Sequence, residues 1–174
     1  MAFLLALALA LGSVVQAFAA PAFAVAPAYA APAAPGFRVK LLDSPRTFDS
    51  REMMGKKVVV LRFQASYCKP CAHEAEAFAR LVERYRDREV EFLALHVQDA
   101  TADVRRFARD HRINYALALD PKLTIGNRYG VKGVPYMVVI DKKGEIAARL
   151  PGESAVSRLP RILDEALRRG LRRG

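Results

Sequence analysis

The stretch Val58-Val59-Val60-Leu61-Arg62-Phe63-Gln64-Ala65-Ser66-Tyr67-Cys68-Lys69-Pro70-Cys71 sets a β-branched run directly before two cysteines three positions apart. The run reads as a central strand. From Cys68 to about Arg86 the pattern turns helical, with Ala75, Phe78, Val82 and Tyr85 on one face at three-to-four-residue spacing. The cysteines therefore fall where a buried strand gives way to the first turn of a helix. Backbone N–H groups are unpaired there and the helix carries partial positive charge, which stabilises a thiolate. Pro70 sits in the first turn, where its missing donor costs little, and it keeps the two sulfurs close. Cys68 at the exposed tip is the expected nucleophile, and Cys71, one turn inward, the resolving thiol. Lys69, with Lys56 or Lys57, is expected to add to the positive field, although exposed lysines are screened.

The chain has only these two cysteines and three histidines. A structural disulfide normally closes a longer loop, and a structural zinc site needs four ligands. Both alternatives are weak, and a redox-active pair remains. No metal and no cofactor beyond the Cys68–Cys71 disulfide itself is expected.

Around this motif the chain has 174 residues, enough for one domain with a core. No charge precedes Arg38, so the net charge of +10 resides wholly in the chain from Arg38 onward. Both signs are interspersed there, which favours a solubility role over an acidic partner or an anionic membrane, and no nucleic acid is expected as a partner. Phe3 to Val15 is a short apolar run, followed by the small-x-small endings Ala17-Phe18-Ala19, Ala22-Phe23-Ala24 and Ala28-Tyr29-Ala30. Residues 1–30 read as a secretory signal peptide, with an uncleaved membrane anchor as the alternative. Residues 31–36 are expected to form a tether, 37–170 the domain and 171–174 a basic tail.

Within the domain, Phe37 to Leu42 suggests an edge strand, followed by a turn at Asp43-Ser44-Pro45. Val90 to Val97 is a second strand, Thr101 to about His111 a helix, Tyr115 to Leu119 a strand, and Pro121 to Tyr129 a short helix or turn. Val134 to Ile140 and Ile146 to Leu150 flank the hairpin turn Asp141-Lys142-Lys143-Gly144. The last helix is expected to start at Pro160 and stop at Gly170. This order implies an α/β fold, a mixed central sheet with helices on both faces.

Ala65-Ser66-Tyr67-Cys68-Lys69-Pro70-Cys71, followed by Glu74 and later by Gly133-Val134-Pro135, resembles the thioredoxin family. More narrowly the chain is similar to the exported TlpA/ResA-type group, which includes the cytochrome c maturation thioredoxins. The resemblance covers roughly Phe37 to Leu167 and implies a thioredoxin fold with an N-terminal strand extension and a βα insert near Ala100 to Pro121. It also implies a cis Val134–Pro135 bond facing Cys68, with the Val134 backbone free to pair with an extended substrate segment.

Three positions depart from the family pattern. Tyr67 replaces the tryptophan before the first cysteine and keeps an aromatic platform, while Tyr136 replaces the threonine after the cis-proline. Arg62 stands where thioredoxin has a buried acid. A buried unpaired arginine is very costly, so Arg62 either pairs with an acid such as Glu74 or reaches the surface. Glu74 itself is expected to tune the cysteines or move protons, with a solvated helix position as the alternative. His73, His96 and His111 read as ordinary helix or strand residues.

The function implied is that of an exported thiol–disulfide oxidoreductase, periplasmic if the source is bacterial. It would reduce disulfides of client proteins with electrons from a membrane-bound donor. A disulfide-introducing oxidase and a copper-holding chaperone remain as alternatives, since two thiolates also suit Cu(I). A thiol peroxidase is disfavoured because Ala65 stands where that class carries a hydroxyl.

Overall fold

The computed structural model describes residues 31–171; the expected signal segment 1–30 and residues 172–174 of the basic tail lie outside the described residues. Among the described residues no helix is long and apolar enough to cross a membrane.

The β-branched run forms β3 (Val58–Gln64), and every residue of it is buried. A strand covered on both faces must be apolar on both, which is why Val58 to Leu61 show no alternation. β3 pairs in parallel with β4 (Val90–Val97), and β4 with β5 (Ala116–Asp120). On its other side β3 runs antiparallel to β6 (Tyr136–Ile140), which continues by a hairpin into β7 (Ile146–Pro151). The five-stranded order is β5-β4-β3-β6-β7, a mixed sheet as expected.

Period two divides β3 between two cores. Val58 and Val60 face α1 (Lys69–Arg84) and α4 (Ala155–Leu171), packing with Phe78, Leu81, Val82, Leu159 and Leu163. The helix α2 (Thr101–Asp110) lies on this same face through Val104 against Ala94 and Leu117. Val59, Leu61 and Phe63 face the opposite way, into a cluster with Phe37, Phe48, Tyr129 and Ile125 from the short helix α3 (Thr124–Arg128). The βα insert is thus α2 with β5, an added edge to the sheet.

At the hairpin, the Asp141 carboxylate accepts from the N–H groups of Lys143 and Glu145, at 2.9 and 3.0 Å. Gly144 takes φ +78°, which a side chain resists.

Three expectations need correction. The segment Phe37 to Leu42 meets the edge of the main sheet only at its end, where the Leu42 N–H donates to the Leu117 carbonyl at 2.7 Å. Its β1 (Arg38–Lys40) pairs antiparallel with β2 (Thr47–Asp49) in a separate two-stranded sheet, joined to the larger one by a single bridge, Leu41 to Ala118. The reason is apolar: pairing sets Val39 opposite Phe48, and Phe37 packs on Phe48 at 5.6 Å and edge-on to Tyr129 at 6.0 Å. Residues 31–36, expected as a tether, are held against the hairpin. The N–H of Ile146 donates to Pro32, that of Ala34 to Gly144, both at 2.8 Å, and the Tyr129 hydroxyl donates to the Pro35 carbonyl at 2.7 Å.

The last helix starts at Ala155, not at Pro160, and continues through Gly170 to Leu171. Ala155, Val156 and Leu159 extend the apolar stripe of Leu163, Ala166 and Leu167, so burial favours the extra turn. Pro160 then lies inside the helix and deprives the Val156 carbonyl of its helical donor. Tyr85, the C-cap of α1, anchors this turn, its hydroxyl 2.9 Å from the Asp164 carboxylate and 3.1 Å from the Pro160 carbonyl.

Because the α4 stripe closes one core, Leu163→Ala should lower stability by about 2–5 kcal/mol, the range for emptying a buried leucine site. Urea unfolding of the variant beside the wild type measures this; a loss under about 0.5 kcal/mol would show that α4 does not pack as described.

Candidate functional site

β3 ends at Gln64, and the chain turns through Ala65-Ser66-Tyr67 into Cys68, the N-cap of α1. Cys68 is bonded to Cys71, with the Cα atoms 5.2 Å apart. The Cys68 sulfur also accepts the backbone N–H of Cys71 at 3.1 Å, so one of the helix's unpaired donors already points at sulfur. Lys69 and Pro70 occupy the first two helical positions, as the loop chemistry requires. Cys71 is fully buried, and Cys68 is 7% exposed at the rim. Tyr67 stands beside it at 63% exposure, a large aromatic face left to solvent.

β6 completes the rim. Tyr136 pairs with Phe63, which brings Pro135 and Val134 beside the end of β3 where the cysteine loop departs. The Val134–Pro135 bond is cis. Val134 packs on the cluster that contains both cysteines. Between Tyr67 and α2 lies an open groove of about 380 Å³, lined by Ser66, Asp99, Asp103 and Arg106.

The second turn of α1 and the end of β3 meet over Arg62. Its guanidinium is wholly buried, 3.2 Å from the Cys71 carbonyl, to which Nη2 donates, and 4.8 Å above the Phe78 ring. Nη2 lies 3.5 Å from the Glu74 carboxylate, an ion pair without hydrogen-bond geometry, and Nη1 has no hydrogen-bond partner within the protein. Of the two sequence expectations for Arg62, pairing with Glu74 is the one observed. Burial lowers its pKa, with the nearby Tyr115 and Glu74 opposing, yet a guanidinium remains charged. Glu74 also has a structural contact away from Arg62. Its other oxygen accepts the Ser154 N–H at 3.0 Å, tying α1 to the start of α4.

The lysines expected at the site divide. Lys69 is exposed in the first turn of α1. Lys56 and Lys57 precede the far end of β3, about 20 Å away by strand rise, and Lys57 pairs with Glu91. They add nothing to the field at the cysteines.

Four polar residues near the site, Gln64, His96, Asp99 and Ser66, were given no role by the sequence reading. Gln64 and His96, both fully buried, are Cα partners across β3 and β4, and their side chains meet at 2.7 Å. Arg62 Nε donates to Gln64 Oε1 at 2.8 Å, and His96 Nδ1 lies 2.8 Å from Asp99. Asp99 in turn accepts from the Ser66 N–H at 2.7 Å and the Ser66 hydroxyl at 2.6 Å. The available signal was compositional: Arg62 and Gln64 end an otherwise apolar strand, His96 sits in the apolar second half of β4, and a buried polar side chain requires a partner.

Burial lowers the pKa of His96, outweighing the Asp99 carboxylate that raises it. The folded protein thus holds this histidine neutral where the unfolded chain, near pH 6.5, begins to take up a proton. The unfolded state binds more protons, so stability falls as pH drops below about 6.5, by up to about 1.4 kcal/mol per pH unit until the folded pKa is reached. Urea midpoints between pH 7.5 and 5 should show this slope in the wild type and a shallower one in His96→Asn. Parallel slopes would place a proton on His96 in the folded state.

Comparison with known proteins agrees with this geometry. A thiol-disulfide oxidoreductase ResA of Bacillus thuringiensis is 29% identical over 126 residues, 72% of each chain. A Chlorobium tepidum structure described as a thiol:disulfide interchange protein DsbE superposes with a TM-score of 0.72 at 25% identity, covering 79% of this chain and 97% of its own. A solution structure from Bacteroides thetaiotaomicron, described as a protein disulfide isomerase, gives 0.73 at 26% identity over 82% and 92%. The fold is thioredoxin-like, as the resemblance implied. The AhpC/TSA family model matches residues 30–149, and the chain belongs to that family.

Proposed function

We propose that this protein is an exported thiol–disulfide oxidoreductase that reduces disulfides in client proteins by dithiol–disulfide exchange. The observation that carries it is the rim disulfide: Cys68 at the helix tip beside the exposed Tyr67, with Cys71 buried one turn behind it. In the reduced protein, the Cys68 thiolate attacks a client disulfide and expels one client thiolate. Cys71 then attacks the mixed disulfide at Cys68, releases the second client thiol and re-forms the Cys68–Cys71 bond. Two electrons pass to the client, so a donor must reduce the pair again, and a membrane-bound reductant suits an exported enzyme.

The remaining site residues take supporting roles. Tyr67 and the backbone at Val134-Pro135 receive an extended client segment, Pro70 fixes the cysteine turn, and Arg62 and Glu74 set the charge around Cys71. A peroxidase reading, which the family's breadth permits, is not favoured: Ala65 occupies the hydroxyl position and Leu61 the proline position of the peroxidase motif. Export rests on the signal-like residues 1–30 together with the relatives' activity.

Cys71→Ser should trap a client at Cys68 as a mixed disulfide that dithiothreitol releases, whereas Cys68→Ser should trap none. The reduction potential separates the directions: below about −220 mV supports a reductase, and above about −150 mV makes the enzyme a disulfide-introducing oxidase. Equal trapping by both variants would contradict the division of roles between the two sulfurs.

A further inference from the structure

The chain Arg62–Gln64–His96–Asp99–Ser66 admits one orientation of every hydrogen bond in it. Arginine only donates, so Gln64 turns its oxygen to Arg62 and its amide N–H to His96. The imidazole must then accept at Nε2 and carry its proton on Nδ1, which donates to the acceptor-only Asp99. Asp99 receives the backbone N–H and hydroxyl of Ser66. One end of the chain is a buried cation and the other a carboxylate, joined through two neutral side chains with every donor aimed the same way. Such aligned bonds polarise one another in a low-dielectric interior.

The ends meet the two halves of the redox pair. Arg62 Nη2 holds the carbonyl of Cys71, and Asp99 holds Ser66, two residues before Cys68. Phe107 of α2 closes over the link, its ring 5.4 Å from His96. The polar row is assembled by register: Arg62 and Gln64 continue the face of β3 that carries Val58 and Val60, and β4 presents His96 directly beside Gln64.

We propose that His96, with Gln64 and Asp99, is a positioning residue of the exchange site, joining the loop of Cys68 to the guanidinium that attends Cys71. It rests on the disulfide-exchange reading above and adds how that reading's poise is set. With the chain intact, Arg62 is fixed against the first turn of α1, where its charge favours the reduced, thiolate-bearing state. With the chain cut, Gln64 no longer has an acceptor that fixes its amide. Arg62 is then free to swing toward Glu74, and the reduced state loses more than the disulfide state does.

His96→Asn is the direct test, because its amide can reach the Nδ1 position and keep Asp99 paired while breaking the link to Gln64. The full chain is equilibrated with reduced and oxidised glutathione at pH 7, and the thiol and disulfide fractions are counted after alkylation. The inference expects the equilibrium to move at least tenfold toward the disulfide, about 30 mV for two electrons. A purely structural role destabilises both redox forms alike: equilibrium within twofold of wild type, with equal falls in the melting temperatures of both forms, would overturn the proposal. Should His96→Asn fail to fold, Gln64→Met removes both hydrogen bonds of that side chain, to Arg62 and to His96, and is read by the same two outcomes. Failure of Cys71→Ser to trap a client would sink the exchange function but leave this ratio, which is measured on the cysteines alone, intact.

Discussion

The buried charge of Arg62 is the constraint on which the site depends. A guanidinium removed from water is tolerated only where hydrogen bonds and an opposite charge surround it, because an uncompensated buried ion costs several kcal/mol. Here the compensation comes from four directions: the Cys71 carbonyl, the Gln64 amide oxygen, the Glu74 carboxylate and the face of Phe78. Each of those contacts fixes something else. The first seats α1 on the end of β3, the second recruits His96 and Asp99, the third leads to Ser154 and α4, and the fourth places the guanidinium over the α1–β4 core.

The rest of the fold presents this arrangement at a surface. β3 carries one apolar and one half-polar face; the polar half lies at the end nearest the cysteines, where the strand leaves the hydrophobic cores for the rim. The antiparallel neighbour β6 delivers Pro135 to that rim, and the parallel neighbour β4 delivers His96. A thiol pair at a helix tip is thus flanked by an exposed aromatic on one side and a buried ionic network beneath. The chemistry needs both. In the proposed function the rim is where a client disulfide docks, and in the proposed positioning role the network sets the balance between the two redox states.

Much of this was legible in the sequence where the signal is local. Val58 to Phe63 reads as a strand from its β-branched run, Cys68 to Cys71 as a helix tip from the switch to helical spacing, and Asp141 to Gly144 as a turn from its own residues. Elements whose existence depends on distant partners were not legible. β2 is three residues long, too short for any period to show, and it forms because Phe48 meets Phe37 and Val39. The true start of α4 was hidden behind Pro160, whose local preference for a helix start lost to the burial of Ala155, Val156 and Leu159. Gln64 and His96 lie 32 positions apart, and only the parallel register of β3 and β4 makes them neighbours. Reading His96 as an ordinary strand residue placed it correctly and missed its partners.

The central claim is that the buried Arg62 charge favours the thiolate at the tip of α1. The most direct measurement is the rate at which iodoacetamide alkylates Cys68 in the reduced protein at pH 7, in the wild type and in Arg62→Met, which keeps an unbranched apolar filler and removes the charge. The account predicts alkylation at least about threefold slower in the variant, because removing a nearby cation raises the thiol pKa and leaves less thiolate at that pH. An equal or faster rate in a variant that still folds would mean that Arg62 only fills space, and that the helix tip alone activates the sulfur.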